Sequence, residues 1–419
     1  MRLIELFSGL GGFRLGMQDH QCIWANDLDP VACRVYRRLY GDLHIVEGDI
    51  RNINAESIPE HDILTAGFPC VAFSTVGKQL GFDDERGMLF FEAVRIIRAK
   101  MPRIVVLENV RNLVHHNRGR TFYMVLKTMN DAGYRVDFAL LKSSDFGVPQ
   151  KRVRIYIVGI RDDIRLPRRN RSCEASCLSA LRYKYRNELR WTYFFRYERP
   201  VACNLNCVRP VHEITLPPGL LRILRKKLKE RPKSLLRVRD NRMGFQSIPT
   251  WTFGLFGPVT DEERGVLEEL RRRSQKAMWD SFGEEREGSQ ISRLSSEDLS
   301  APPGMLERLA TAGYIKRRPG ELYSVINRNL LPNGYPSVFA GREGLAPTLT
   351  ANLANFAILE NGRAYRFCAE DLEAIQGFPE GATAGESLSD RVRLLGNSVT
   401  PAVVRFVSRL ISENGLCGG

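Results

Sequence analysis

Over roughly its first 160 residues the chain keeps switching period: short apolar runs of strand length alternate with stretches whose apolar residues recur at helical spacing. That rhythm is the mark of strand and helix units stacked around a largely parallel sheet. Leu3-Ile4-Glu5-Leu6-Phe7, Cys22-Ile23-Trp24-Ala25, Ile63-Leu64-Thr65-Ala66 and Ile104-Val105-Val106-Leu107 are the expected strands. Met88, Leu89, Phe90, Ala93, Val94, Ile96 and Ile97 lie between the last two at helical spacing and predict a crossover helix.

The chain is long enough to supply that sheet and more. With 419 residues and 43% hydrophobic content it can bury a large core and form two or three domains. No apolar run approaches the roughly 20 residues that span a bilayer. Glu5 also interrupts the first apolar run, so it is no signal-peptide core, and a cytosolic protein without a membrane partner is expected. Nine scattered cysteines do not resemble a secreted disulfide framework, which leaves individual thiols for chemistry or metal. A formal charge of +14 points to a polyanionic partner, because cations that neutralise phosphates gain from counterion release.

Past Arg161 the pattern changes. Residues 165 to 171 are basic and contain proline, aromatic and basic residues interleave from 182 to 199, and a dense basic stretch follows: Arg222, Arg225, Lys226, Lys227, Lys229, Arg231 and Lys233. That stretch reads either as a phosphate contact or as a solvated helix face. An amphipathic helix is expected from Asp261 to Met278, then a polar stretch from 283 to 299. From Pro347 the sequence turns compact again, too short for its own core. The expected division is 1–164, a second and smaller domain at 165–345, and a segment 346–419 that packs back onto the first.

Four constellations carry chemistry. The first strand runs into Phe7-Ser8-Gly9-Leu10-Gly11-Gly12-Phe13-Arg14-Leu15-Gly16, and Asp27 follows about twenty residues on. Glycines there let backbone approach a nucleoside-like ligand whose ribose hydroxyls a carboxylate would accept, although a plain tight turn fits too. The run lacks the strict spacing of the dinucleotide fingerprint, which weakens a nicotinamide dehydrogenase reading. Asp49, in Gly48-Asp49-Ile50, reads either as a second contact to the same ligand or as a turn. The third apolar run ends in Gly67-Phe68-Pro69-Cys70, which sets Cys70 at the carboxyl edge of the sheet. An inert buried thiol is the default for a lone Cys. The next strand, however, ends in Glu108-Asn109-Val110, and a thiol and a carboxyl at the ends of neighbouring strands are a nucleophile and a general acid. Arg152 and Arg154 alternate with Val153 and Ile155, so the two guanidiniums share a face, for an anion, a carbonyl oxygen or solvent.

Taken in order, these blocks resemble the DNA (cytosine-5)-methyltransferase family, over residues 1 to about 160 and 345 to 410. Phe7 to Gly16 resembles its S-adenosylmethionine motif, Gly67-Phe68-Pro69-Cys70 with Phe73-Ser74 its nucleophile loop, and Glu108-Asn109-Val110 its acid motif. Gln150-x-Arg152-x-Arg154 resembles the motif that holds the target base, and Gly396-Asn397-Ser398-Val399 the closing motif. Val71 stands where the family often has Gln, and Leu28 where some members stack an aromatic on adenine. The resemblance implies an α/β class I methyltransferase, a Rossmann-like doubly wound sheet with a smaller target-recognition domain. It further implies Cys70, Glu108, Arg152 and Arg154 as catalytic residues. Phe7, Gly9, Gly11, Gly12, Asp27, Leu28, Asp49, Ile50, Pro69, Asn397 and Val399 are implied around S-adenosylmethionine.

By the same resemblance Cys70 adds to carbon 6 of a cytosine flipped from double-stranded DNA, Glu108 serves ring nitrogen 3, Arg154 holds the ring carbonyl oxygen, and Arg152 fixes Glu108 or a phosphate. Methylation of tRNA and a catalytically silent DNA-binding relative are the alternatives. The middle region's length argues against the first, and the four catalytic side chains against the second. With the first motif at residue 3, no N-terminal regulatory domain is expected. The expectation is a monomeric microbial enzyme of a restriction-modification system, with an endonuclease acting on the same site without stable contact. Cys173, Cys177, Cys203 and Cys207 form two spaced pairs that read as a zinc site or as unligated thiols.

Overall fold

In the computed structural model the described residues are 1–41, 43–68, 89–166, 185–195, 205, 208, 212–240, 246–280, 294–295, 297–320, 322–326, 336, 338–350 and 356–417. Pro69, Cys70 and the four paired cysteines lie outside them. The chain divides into two compact units: 1–204 with 348–351 and 369–419, and 205–347 with 352–368.

The first unit is built on a seven-stranded sheet. Its strands are β1 (Arg2–Leu6), β2 (Gln21–Asp27), β3 (Ile45–Glu47), β4 (Ile63–Ala66), β5 (Ile104–Val110), β6 (Tyr134–Lys142) and β7 (Val153–Arg161), in the order β3-β2-β1-β4-β5-β7-β6. β7 runs antiparallel to both β5 and β6, and the other pairings are parallel. The strand order reverses at β1, so the edge outside β1 and β4 is the switch point where such sheets take ligands. Both faces are covered, and the central strands are accordingly apolar throughout: β5 begins Ile104, Val105, Val106, Leu107, all fully buried.

The helices form for local reasons as well. In α2 (Pro30–Tyr40), Asp29 caps the N-terminus by accepting from Val31 N at 2.9 Å, and Pro30 occupies the first turn, where its missing N–H costs nothing. Crossover helix α3 (Leu89–Lys100) buries Phe90, Ala93, Val94, Ile96 and Ile97 as the spacing predicts. α4 (Arg120–Asp131) precedes β6.

The second unit has two cores. A six-stranded mixed sheet is covered by the basic helix α5 (Pro218–Glu230), whose Leu220, Leu224 and Leu228 face inward. Its strands include β9 (Leu235–Val238), β13 (Val338–Gly341), β14 (Phe356–Glu360) and β15 (Arg363–Arg366), with β8 (His212–Ile214) and β10 (Ser247–Ile248) at its edges. A smaller core lies between α6 (Asp261–Asp280), α7 (Pro303–Ala312) and the hairpin β11 (Ile315–Arg318) with β12 (Leu322–Val325).

Both unit boundaries differ from those read off the sequence. Residues 185–195 belong to the first unit, because Leu189, Phe194 and Phe195 are buried in its cores and Trp191 bridges to Val136 on β6. Residues 356–366 belong to the second, where they form two strands of its sheet. The return segment therefore consists of 348–351 together with α8 (Ala369–Gln376), α9 (Leu388–Asn397) and α10 (Pro401–Glu413). α10 sends Val403, Val404, Val407, Leu410 and Ile411 into the first unit's core, against α1 (Gly12–Gly16). A Cβ on Gly16 would lie 2.4 Å from the Val404 Cβ, so this contact demands glycine.

Candidate active site

The glycine loop leaves β1 through left-handed backbone at Phe7 (φ 55°), Gly9 (φ 52°) and Gly11 (φ 71°). For Phe7 that conformation is uncommon and is held by neighbours. Ser8 N donates to Asn26 O at 2.9 Å, and Gly9 N to Asp27 Oδ2 at 2.7 Å. Asp27 also accepts from Asp29 N at 2.9 Å. Its carboxylate thus shapes the loop, and a ribose hydroxyl would be a further donor to it. A Cβ built on Gly9 meets nothing within 4 Å, which leaves open space over the loop. Gly11 and Gly12 are glycines for packing: a Cβ would come within 2.4 Å of Tyr40 and 2.6 Å of Val399, respectively. Val399, expected at the cofactor, thus sits directly against Gly12.

Leu28, just past the end of β2, is 65% exposed. Ile50 is buried. Asp49 caps a short turn and pairs with Arg51 at 2.6 Å, which holds its carboxyl below the usual carboxylate range.

At the next strand ends, the register sets Leu107 beside Ala66, so Glu108 stands level with Gly67, three residues before Cys70. A Cβ on Gly67 would lie 3.9 Å from Glu108 Oε2. Glu108 is 7% exposed, and its Oε1 meets Arg154 Nε at 3.2 Å. Burial raises its pKa, opposed by the Arg154 and Arg152 charges. Asn109, fully inside, donates to Phe68 O at 3.1 Å and so ties β5 to the residue that follows Gly67.

Arg152 corrects an expectation. It is 2% exposed, so it does not reach a DNA phosphate. Its Nη1 donates to Gly396 O at 3.0 Å and its Nη2 to Ser398 O at 2.7 Å, at the carboxyl end of α9, where a cation suits the exposed carbonyl dipoles. Asn397, between those two carbonyls, is exposed.

Two polar groups of this region have structural roles that their places in the sequence did not indicate. Gln150, fully buried, donates to Ile375 O and Gln376 Oε1 and accepts from Leu349 N, while Gln376 donates to Ser398 O at 2.8 Å. Together with Arg152 this network holds the return segment against the start of β7. Glu5 lies beneath the glycine loop, where its Oε1 accepts from Phe13 N at 3.0 Å. Its signal was a carboxyl inside an apolar strand.

Burial pushes Glu5 up to about 8 from an ordinary 4.5. The fold therefore favours neutral Glu5, whereas the unfolded chain ionises it above 4.5. Through this group stability is full below pH 4.5 and declines as pH rises through about 8, by up to roughly 5 kcal/mol. Glu5→Gln is expected to flatten that decline. Urea unfolding of both proteins at pH 5, 7 and 9 checks it, and parallel pH dependences would refute it.

Among the described residues no group of three or more His, Cys, Asp or Glu is placed to hold a metal, and no helix is long and apolar enough to cross a membrane.

The family model for C-5 cytosine-specific DNA methylases matches residues 1–186. Over 448 residues the chain is 31% identical to the type II methyltransferase M.NlaIV of Neisseria lactamica, covering 97% of this chain and 98% of that one. It is 30% identical over 432 residues to the type II methyltransferase M.BanI of Aneurinibacillus aneurinilyticus, covering 99% and 96%. Among solved structures, the Entamoeba histolytica methyltransferase EhMeth aligns over 99% of this chain and 98% of its own, with a TM-score of 0.51 at 12% identity, a likeness of fold alone.

Proposed function

The chain belongs to the C-5 cytosine-specific DNA methyltransferases of restriction-modification type, and from that premise we propose that Cys70 is the nucleophile that activates a cytosine flipped out of a DNA duplex. The observation that carries the reading is the buried carboxyl of Glu108, level with Gly67 and three residues from Cys70.

Carbon 5 of cytosine is too weak a nucleophile to take a methyl group unaided. Cys70 adds as thiolate to carbon 6, Glu108 donates its proton toward ring nitrogen 3, and electron density moves to carbon 5. Burial raises the Glu108 pKa and so favours the protonated form that donates. Arg154, whose Nε lies 3.2 Å from Glu108 Oε1, donates to the ring carbonyl oxygen and orients the acid. When the carbon 5 proton is lost, Cys70 is expelled. A thiol cannot reach carbon 6 in a stacked pair, hence the flipped base.

The family uses S-adenosylmethionine, which when bound supplies an electrophilic methyl group. The residues present fit it: open space lies over Gly9, Leu28 is exposed beside Asp27, and Asp49 offers an acceptor. Phe7, Gly9, Gly11 and Gly12 would supply the loop, Leu28 and Ile50 apolar contact, Asp27 and Asp49 acceptors, and Pro69, Asn397 and Val399 further contacts. The second unit acts as target-recognition domain. On α5, Arg222, Arg225, Lys226 and Lys229 are exposed and serve as phosphate contacts. The enzyme acts as a monomer and protects DNA at a site that a restriction endonuclease cuts, without stable contact between the two.

Transfer of labelled methyl to duplex DNA and to tRNA in parallel, followed by bisulfite sequencing of the DNA, tests the function; label confined to tRNA overturns it. Glu108→Gln is expected to lower kcat by about 10²- to 10⁴-fold. It should also remove the high-pH fall in kcat, because the wild-type acid works only while protonated. A variant that kept the wild-type pH profile would show that another group donates.

A further inference from the structure

The smaller core of the second unit has an order of elements that the family reading does not require. α6 is followed by Leu294, which exchanges two backbone hydrogen bonds with Tyr323 on β12 (Leu294 N to Tyr323 O 3.1 Å, Tyr323 N to Leu294 O 2.8 Å). One turn then spans residues 297–300, with Ser295 and Asp298 capping each other. Left-handed Ser300 (φ 49°) leads to α7, and Gly313 (φ 91°) ends that helix and feeds the β11–β12 hairpin. Helix, bridging residue, turn, helix and hairpin, with the bridging residue paired to the hairpin's second strand, follows the connectivity of a helix-turn-helix that carries a wing.

The packing and charge agree with that reading. Leu306 and Leu309 of α7 are buried with Leu267, Leu270, Tyr314, Ile315 and Tyr323. The opposite face exposes Gly304, Arg308 and Thr311, at intervals of four and three residues. Between Pro303 and Val325 four cations, Arg308, Lys316, Arg317 and Arg318, stand against Glu307 and Glu321. Glu307 is engaged within the module, by Arg317 at 3.3 Å and the Tyr323 hydroxyl at 2.7 Å. Arg308 pairs with Glu263 of α6. Lys316, on the wing, is exposed.

We propose that α6, Leu294, α7 and the β11–β12 hairpin form a winged helix-turn-helix that docks on the DNA substrate, with the exposed face of α7 against base edges in the major groove and the hairpin, its wing, against neighbouring phosphates. In such modules the second helix of the motif reads the groove. Thr311 is short enough for a close approach and carries both a hydroxyl for a base edge and a methyl for thymine. Lys316 makes a sequence-blind contact. The proposal rests on the DNA methyltransferase reading and adds which part of the second unit reads sequence.

The test uses the full chain, with duplex oligonucleotides that carry the methylated site found by bisulfite sequencing or single-base substitutions of it. Lys316→Gln is expected to weaken binding about equally on all duplexes and to reduce the slope of log affinity against log salt by about 1. Thr311→Ala is expected to lower the ratio of kcat/KM between the cognate duplex and one substituted duplex on the order of tenfold. Both residues are exposed, so both variants should fold. Wild-type slope and wild-type ratio together would overturn the proposal and leave the methyltransferase reading standing, the outcome if this face meets a protein. Wild-type enzyme that neither bound nor methylated any duplex would overturn both.

Discussion

Cys70→Ala is expected to lower methyl transfer to DNA by about 10⁴-fold or more while duplex affinity stays near wild type. The size follows from the chemistry: without addition at carbon 6 there is no electron density at carbon 5, and neither Glu108 nor Arg154 can replace a covalent bond. Binding, by contrast, draws on cations of the second unit that the substitution leaves untouched. A duplex with 5-fluorocytosine at the target makes the result visible without turnover, because fluorine cannot leave as a proton does and the adduct persists. Wild-type enzyme should form a denaturation-resistant complex and Cys70→Ala none. An adduct with the alanine variant would mean that a different thiol attacks.

Arg152→Ala is expected to destabilise the chain by about 3 kcal/mol and to raise the KM for S-adenosylmethionine. Gly396 O would lose its charged donor in a dry setting, where a buried acceptor left unmet costs about 1–3 kcal/mol, and Ser398 O would keep only Gln376 Nε2. The effect on KM follows from position, since Val399 rests on Gly12 and any loosening of 396–399 is felt in the glycine loop. Arg152→Lys should recover little, because one ammonium lacks the planar fork that meets two carbonyls. The urea midpoint and the cofactor KM of both variants decide the matter; an alanine variant with the wild-type midpoint would show that the clamp is dispensable.

Much of the first unit was legible because its strands are buried on both faces, so their apolar runs stand out without alternation. Glu108 was legible for a related reason: it ends the apolar run Ile104 to Leu107 near the carboxyl end of a buried strand. Glu5 was read only as an interruption of an apolar run, because nothing in the sequence indicates that Phe13 N lies above it. Arg152 and Arg154 alternate on paper, yet one is a clamp and the other faces Glu108, a distinction made by a partner more than 240 residues away in sequence. The division at 165 was misplaced since a change in composition marks where charge changes, whereas Leu189, Phe194 and Phe195 follow the first unit's cores. The smaller core of the second unit left little periodic signal, because what joins its hairpin ahead of the helix Pro303–Ala312 amounts to one bridged residue, Leu294.

The return of α8, α9 and α10 to the first sheet also bears on how the protein comes to exist. A ribosome that has finished residue 204 has made most of the first unit but none of Val403, Val404 and Val407, so the apolar surface around Phe13 and Met17 has no cover yet. At about 5–20 residues per second the missing helices emerge on the order of 10–40 seconds later. During that interval the nascent chain carries an unfinished core, while the intervening stretch is free to fold on its own. Expression yield should therefore depend on temperature and chaperone supply more steeply than the stability of the finished enzyme suggests.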